Sequence, residues 1–196
     1  MRIFGVILAG GAARRMSGAN KALLMLGDQS LLSHAIARLD PQVERLAVSA
    51  NADGAMIAGY GLPVLPDAAP LGPLAGILAA LIWAAPYGAT AVVSVAVDTP
   101  FFPPDLVPQL CLAAETSPSG LAIAHSSADH PTFGIWPIAL IPALTDFLAS
   151  GVNPRVLTFT GMQQAARAPF PDDRAFDNLN TPADLMRAQA LLAGAR

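Results

Sequence analysis

Short apolar runs alternate with amphipathic segments along the chain, and this alternation predicts strands and helices in succession. Strand character is present at residues 3–8, 45–49, 63–65, 91–97, 121–125 and 132–136. Helical character is present at residues 31–39, 52–58, 74–85, 103–115, 138–150, 155–160 and in a final helix that begins at Pro182. The succession is typical of a doubly wound α/β fold, in which helices cover both faces of a mostly parallel sheet.

The 196 residues are predicted to form a single domain, 1–196, because no linker, internal repeat or low-complexity tract interrupts the pattern. Hydrophobic residues make up 54% of the chain and charged residues 13%, which argues against disorder. The formal net charge of −3 gives no broad cationic surface, so nucleic acid is not an expected partner. The only cysteine, Cys111, lies in an apolar run, which favours a packed thiol in a protein of the reducing cytoplasm.

Two apolar stretches have to be distinguished from membrane segments. No charged residue occurs between Asp67 and Asp98, and this length is enough to span a bilayer. Residues 86–88 interrupt the stretch, which favours a buried helix followed by a buried strand. The first apolar run is too short for an export signal and is followed directly by Arg14 and Arg15. We therefore expect no membrane association.

The loop after the first strand carries the parts of a triphosphate-binding site. Gly10 and Gly11 let the backbone approach phosphate oxygens closely, while Arg15 and Lys21 supply positive charge. The glycine spacing fits neither a Walker A loop nor a dinucleotide fingerprint. A surface loop with solvated arginines is the alternative, but three of the eleven cationic residues are concentrated here. We therefore predict phosphate binding.

Polar residues also follow the other predicted parallel strands, whose carboxyl ends share one sheet edge. Asp98 follows an unbroken apolar strand, and a carboxylate there is costly unless it is paired or binds a cation such as Mg²⁺. A turn or N-cap role is the alternative for Asp98, and the neighbouring glycine loop favours the metal. The second predicted strand, 45–49, ends at Ser49, and Asn51 lies two residues beyond it. Asp67 either contacts ribose or base, or forms a turn before Pro70.

The segment before the last helix has one part with a structural explanation and one without. Thr181, Pro182 and Asp184 fit an N-cap, a first helical position and a capping-box acid. Asn178 and Asn180 are left unexplained by helix capping.

At this level of detail the chain resembles a known family. The loop Leu8-Ala9-Gly10-Gly11, followed by Arg15, Met16 and Lys21, is similar to the signature loop of nucleoside-triphosphate transferases. Further segments make the chain resemble the molybdenum cofactor guanylyltransferases over nearly its whole length. These segments are residues 72–76, 98–100, 103–106, 129–132 and 178–182.

The resemblance implies a three-layer, Rossmann-like fold and transfer of GMP from GTP to the phosphate of molybdopterin, with release of pyrophosphate and Mg²⁺ as cofactor. It implies catalytic roles for Arg15, Lys21 and Asp98, with Asp98 as the metal ligand, and substrate-side roles for Asn178 and Asn180. Nucleotide contacts are expected from Leu8, Ala9, Gly10, Gly11, Lys21, Ser49, Asn51, Asp67 and Asp98. Transient contact with cofactor-inserting proteins or molybdoenzymes would follow from such a product.

Several alternatives stay open at this stage. Ser17 stands where the family usually has a glycine, and Asn20 where it usually has an aspartate. These two differences leave open the alternative of a nucleotide-binding protein without catalytic activity. A cytidylyltransferase acting on molybdopterin, or a sugar-phosphate nucleotidyltransferase, would share the fold. His125, Asp129 and His130 lack further ligands at zinc-site spacing, so we expect a loop that touches the pterin substrate through His130, or a structural turn.

Overall fold

The computed structural model describes residues 1–10, 20–51, 54–66 and 71–194. One sheet of seven strands runs through the molecule in the order β5-β4-β1-β6-β8-β7-β9. Its strand β8 is antiparallel to both of its neighbours, and every other pairing in this sheet is parallel. The strands are β1 (Ile3–Leu8), β4 (Arg45–Ser49), β5 (Val64–Leu65), β6 (Ala91–Ala96), β7 (Ala122–His125), β8 (Asp129–Pro137) and β9 (Ala166–Pro169). A separate two-stranded ribbon pairs β2 (Met25–Leu26) with β3 (Gln29–Ser30).

Helices cover both faces of this sheet. They are α1 (Leu31–Leu39), α2 (Gly54–Ala58), α3 (Pro73–Ala84), α4 (Leu106–Ala114), α5 (Ile141–Ala149), α6 (Val156–Met162) and α7 (Pro182–Gly194). One hydrophobic core joins the sheet to α1, α4 and α7, and a second joins it to α3, α5 and α6. The predicted three-layer α/β architecture with a mostly parallel sheet is confirmed.

The alternation of side chains along β1 builds both cores. Phe4, Val6 and Leu8 pack in the core with α3, whereas Ile7 packs in the core with α1. A Cβ atom added to Gly5 would lie 2.9–3.2 Å from the side chains of Leu39, Val43 and Leu46. Glycine at this position therefore lets these three side chains pack directly on the backbone of β1. The continuous apolar run therefore reports a strand buried on both faces, as its sequence predicts.

The charge-free stretch before Asp98 folds into α3 and β6, so its predicted division into a buried helix and a buried strand is confirmed. No helix in the described part of the chain is long and apolar enough to cross a membrane.

Three elements begin three residues away from their predicted starts, whereas the other differences are of one or two residues. The helix expected from residue 103 begins only at Leu106, because Pro104 disfavours helical backbone at Pro103 and the pair forms a turn instead. The helix expected over residues 138–150 starts as a 3-10 turn and becomes α5. Strand β8 starts earlier than predicted, at Asp129. Its polar first residues and Pro131 concealed it, and Pro131 lies where the β7–β8 register shifts, a position that tolerates a missing N–H.

Candidate active site

The carboxyl ends of β1, β4 and β6 lie side by side and are joined by backbone hydrogen bonds. The N–H of Ala9 donates to the carbonyl of Ser49 at 2.9 Å, and the N–H of Val97 donates to that of Leu8 at 3.2 Å. The predicted site residues Leu8, Ala9, Ser49 and Asp98 therefore share one edge of the sheet, with Gly10 and Asn51 directly following. Gly11, Arg15 and Asp67 lie outside the described residues.

Lys21 connects two distant parts of the chain at this edge. Its Nζ donates to Asp98 Oδ2 at 2.8 Å and to Asn180 Oδ1 at 2.5 Å. The exposed fractions are 18% for the lysine side chain and 22% for the aspartate, so the pair is partly shielded but still open to a ligand. Lys21 is the only lysine in the sequence. The structure thus brings together three residues that the sequence assigned to catalysis or to the substrate side.

Asn20 has a structural function that sequence analysis missed. Its Oδ1 accepts a hydrogen bond from the N–H of Ala22 at 3.0 Å and caps the 3-10 turn Lys21–Leu23. Aspartate and asparagine cap helices about equally well, so the departure from the usual aspartate preserves the turn that carries Lys21.

The segment from Asn178 to Asn180 is fastened beside β6. The N–H of Leu179 donates to the carbonyl of Asp98 at 2.8 Å, and the hydroxyl of buried Thr99 donates to Asn178 Oδ1 at 2.6 Å. These bonds hold two chain segments about eighty positions apart in register. We call residues 178–180 the C-terminal strap.

The predicted capping box secures the far end of the C-terminal strap. The Asp184 carboxylate accepts from the N–H groups of Asn180, at 3.0 Å, and Thr181, at 2.8 Å. In return, the N–H of Asp184 donates to Thr181 Oγ1 at 3.2 Å. The hydrogen bond from Thr181 leads the interactions that lower the pKa of Asp184. The hydrogen bonds that cap α7 therefore also hold Asn180 in position.

Two glycines shape the entrance to α3, which lies against the same edge. Gly72 has a φ of 78°, a backbone conformation that favours glycine. Gly76 packs so closely on β4 and β1 that an added Cβ would overlap Ser49 Oγ and lie 3.1 Å from both Ser49 Cβ and Leu8 Cδ2. The glycines of this segment thus allow close packing beneath the site, an explanation that the sequence alone did not supply.

Gly76→Ala is expected to lower the free energy of unfolding by about 1–2 kcal/mol, because overpacking outweighs the gain in helix propensity. Gly161→Ala is the matched control, since a Cβ on this α6 glycine meets nothing within 4 Å. That variant should be neutral or slightly stabilising. Chemical denaturation of both variants checks the prediction; equal stabilities would contradict it.

The hairpin of β7 and β8 adds a polar cluster to the same edge, because β8 is antiparallel and its first residues lie beside the end of β6. Asp129 accepts from His125 Nδ1 at 2.7 Å and from Arg167 Nε and Nη2 at 2.8 and 2.9 Å. Hydrogen bonds from the Arg167 guanidinium, followed by that from His125, hold the pKa of Asp129 below its usual value. Arg167 escaped sequence analysis because it meets Asp129 from β9, 38 positions away.

His130 is packed more tightly than His125. Its ring stacks on Phe176 with centroids 4.2 Å apart, and its Nε2 is 2.7 Å from Ser126 Oγ. Burial lowers the pKa of His130. The nearby Asp173 has its pKa lowered to about 2, first by a hydrogen bond from Ser126 and then by the backbone of Ser127. Because Phe176 leads into the C-terminal strap, His130 supports the chain segment that carries Asn178 and Asn180.

The site offers oxygen donors suited to a hard cation that is held mainly by phosphates. Asp98 supplies a partly exposed carboxylate, and Asn180 an amide oxygen 2.5 Å from the same ammonium group. No three His, Cys, Asp or Glu side chains cluster as a metal site within the described ranges. One or two protein oxygens plus substrate phosphates are the ligands that Mg²⁺ commonly takes, so these residues fit Mg²⁺ better than a structural zinc ion.

The family model described as MobA-like NTP transferase domain matches residues 5–167, a range that contains Lys21, Asp98 and the β7–β8 hairpin. With the sheet and its polar edge, this match defines a nucleotidyltransferase. A molybdenum cofactor guanylyltransferase from Cereibacter sphaeroides is 53% identical over 193 residues, covering 98% of both chains. Another from Mesorhizobium japonicum is 44% identical over 199 residues, covering 97% of this chain and 96% of the relative. The chain belongs to the molybdenum cofactor guanylyltransferase family.

A solved structure agrees with the architecture. The crystal structure of molybdopterin-guanine dinucleotide biosynthesis protein A from Archaeoglobus fulgidus superimposes with a TM-score of 0.77 at 21% identity. It covers 97% of this chain, and this chain covers 99% of it. The family and the fold that the sequence predicted are both confirmed.

Proposed function

We propose that this protein transfers GMP from GTP to the terminal phosphate of molybdopterin, forming a guanine dinucleotide and releasing pyrophosphate. The observation that carries the proposal is the meeting of Lys21, Asp98 and Asn180 at the carboxyl edge of the sheet, in a chain whose relatives are named for this reaction. The cytoplasm is the compartment we infer, and proteins that insert or use the cofactor are the transient partners.

The nucleotide lies, in this proposal, over the ends of β1 and β4. Open parallel sheets bind ligands at this edge, where loop N–H groups can donate to phosphate oxygens. Leu8, Ala9 and Gly10 supply close backbone contacts, and Lys21 supplies charge to the phosphates. The remaining proposed nucleotide contacts are Gly11, Ser49, Asn51 and Asp67, and Arg15 is the second proposed catalytic cation.

The carboxylate of Asp98 is the proposed ligand for Mg²⁺. When bound, Mg²⁺ neutralises phosphate charge and fixes the geometry of the triphosphate. The backbone carbonyl of Asp98 is held by the N–H of Leu179, so the position of its side chain is tied to the C-terminal strap. Asn178 and Asn180 then border the acceptor side, with His130 behind them.

The chemistry requires positioning rather than a protein nucleophile. An oxygen of the acceptor phosphate attacks the α-phosphorus of GTP, a new P–O bond forms, and the bond to the bridging oxygen of the pyrophosphate breaks. Lys21 and Arg15 stabilise charge on the leaving pyrophosphate, and preorganised donors of this kind commonly contribute about a hundredfold or more in rate.

Pyrophosphate release by the purified protein tests the proposal, with GTP or CTP as donor, molybdopterin as acceptor and Mg²⁺ present. We expect release with GTP that depends on molybdopterin, and little with CTP. A preference for CTP would replace guanylyl by cytidylyl transfer. Release with a sugar phosphate but not with molybdopterin would move the protein to another reaction, and binding of GTP without release would leave only a nucleotide-binding protein.

A further inference from the structure

The geometry points to His125 as a substrate-binding residue: we propose that its Nε2 contacts the terminal phosphate of molybdopterin. The proposal rests on the guanylyl-transfer function above and names a residue on the acceptor side of that site. Its structural basis is the hydrogen-bonded group of His125, Asp129 and Arg167, which links β7, β8 and β9 at the carboxyl edge of the sheet.

Asp129 fixes the tautomer of His125. The carboxylate accepts two hydrogen bonds from Arg167, and its lowered pKa keeps it ionised, so it has no proton to donate. The hydrogen in the 2.7 Å contact between His125 Nδ1 and Asp129 must therefore belong to the histidine. This leaves Nε2, on the opposite side of the ring, to bind a phosphate oxygen as a donor when the ring is protonated, or to share a proton with that oxygen.

His125 also has the accessibility that a substrate contact needs. Its side chain is 37% exposed, and its Nε2 has no hydrogen-bond partner within the described part of the chain. His130 differs in both respects, because its Nε2 meets Ser126 and its ring is stacked on Phe176. The two histidines thus have separate functions, with His130 supporting the C-terminal strap and His125 presenting a ring nitrogen.

The distance across the sheet suits this assignment. Neighbouring strands lie about 4.8 Å apart, so the backbone of His125 on β7 is roughly 10 Å from the end of β6, two strands away. A metal ion, an α-phosphate and an attacking phosphate must fit between Asp98 and a group that orients the acceptor. A separation of roughly 10 Å between the two residues leaves room of this order. With GTP over β1 and β4, the acceptor approaches from the β8–β7 side.

The charges around His125 favour a phosphate rather than a cation. Arg167 balances the charge of Asp129, so this group presents no uncompensated carboxylate to a phosphate at Nε2. Among the described residues, His130 and Asp173 are the other titratable groups that face this hairpin, and the Asp173 carboxylate is engaged by hydrogen bonds from Ser126 and from the backbone N–H of Ser127. A phosphate oxygen at Nε2 would complete the arrangement.

Two substitutions separate substrate binding from a structural role. Asparagine at position 125 places an amide nitrogen near the site of Nδ1 and keeps the bond to Asp129, whereas glutamine places one near the site of Nε2. We expect His125→Asn to raise the KM for molybdopterin about tenfold or more with the KM for GTP unchanged, and His125→Gln to retain most of the affinity. If Asn is near wild type and Gln is impaired, the residue only holds Asp129 and the proposal is overturned.

Further readouts keep the test decisive. Histidine side-chain NMR of the wild type should show the His125 ring signal shifting when molybdopterin is added. The signal that is missing in His125→Asn identifies this ring among the three histidines. His34→Gln, which can keep the 2.8 Å bond from this α1 side chain to the Leu26 carbonyl, is the control that should leave the kinetics unchanged. An unshifted His125 ring, or a parallel loss of GTP affinity, overturns the proposal. A wild type that releases no pyrophosphate with molybdopterin overturns the proposed function as well.

Discussion

Asp98→Asn is expected to lower kcat by about a hundredfold to a thousandfold while leaving the fold intact. The substitution keeps the size of the side chain and the backbone bond from Leu179, but removes the charge that would hold Mg²⁺ beside the triphosphate. The side chains of this ion pair are only 18% and 22% exposed, but asparagine keeps an oxygen that can accept from Lys21, so the substitution should cost about 1–2 kcal/mol of stability. Steady-state pyrophosphate release and thermal unfolding measure the two quantities.

Asp146→Asn provides the matched control, because the side chain of this exposed aspartate on α5 makes no hydrogen bond or ion pair with any described residue. Its activity should equal that of the wild type. Near-normal turnover in Asp98→Asn would refute the metal assignment, and an equal loss in both variants would point to a general effect of removing negative charge.

Lys21→Gln is expected to change turnover and metal binding in opposite directions. Without nucleotide, the Lys21 ammonium occupies one oxygen of Asp98 at 2.8 Å and competes with a cation for that carboxylate. The neutral variant should therefore bind Mn²⁺ more tightly than the wild type when GTP is absent. With GTP it should turn over about a hundredfold more slowly, because a charge on the phosphates is missing. Electron paramagnetic resonance of Mn²⁺ and pyrophosphate release follow the two effects.

Because the chain contains one lysine, isotope-labelled lysine reports on Lys21 alone. Addition of GTP with Mg²⁺ should shift its side-chain NMR signal as the ammonium leaves Asp98 for the nucleotide. Lys21→Arg, which keeps the charge, should lose less activity than Lys21→Gln. Equal weakening of Mn²⁺ binding with and without GTP in Lys21→Gln would show that the lysine does not compete for the carboxylate.

The sequence predicted the parts of the fold that local pattern determines. The bounds of β1 and β4 match the prediction, because buried strands need apolar runs, and these cover the whole of β1 and residues 46–48 of β4. Strand β9 was missed, since only Ala168 of its four residues is buried and the segment has no strong period. The ribbon of β2 and β3 has two residues in each strand, too few to give a pattern.

The candidate site shows the same difference: most of its residues were predicted from the sequence, but the long-range contacts between them were not. Sequence placed Lys21 and Asp98 at one edge because each follows a strand, and similarity to a family added Asn180. The bond between Lys21 and Asn180 joins residues 159 positions apart, and no spacing rule reports such a contact. The partners Arg167 and Phe176 were missed for this reason, whereas the hairpin residues they contact were recognised.

The C-terminal strap extends the candidate site beyond the part of the chain that forms the main sheet. The family match stops at residue 167, before both asparagines of the strap, yet Thr99 and Lys21 in the body of the domain each bond to one of them. A fragment ended soon after β9 would retain every strand of the main sheet but lose these tethers. Minimal versions of this enzyme, and fusions that pull on its last helix, are therefore expected to loosen Lys21 in an otherwise well-folded protein.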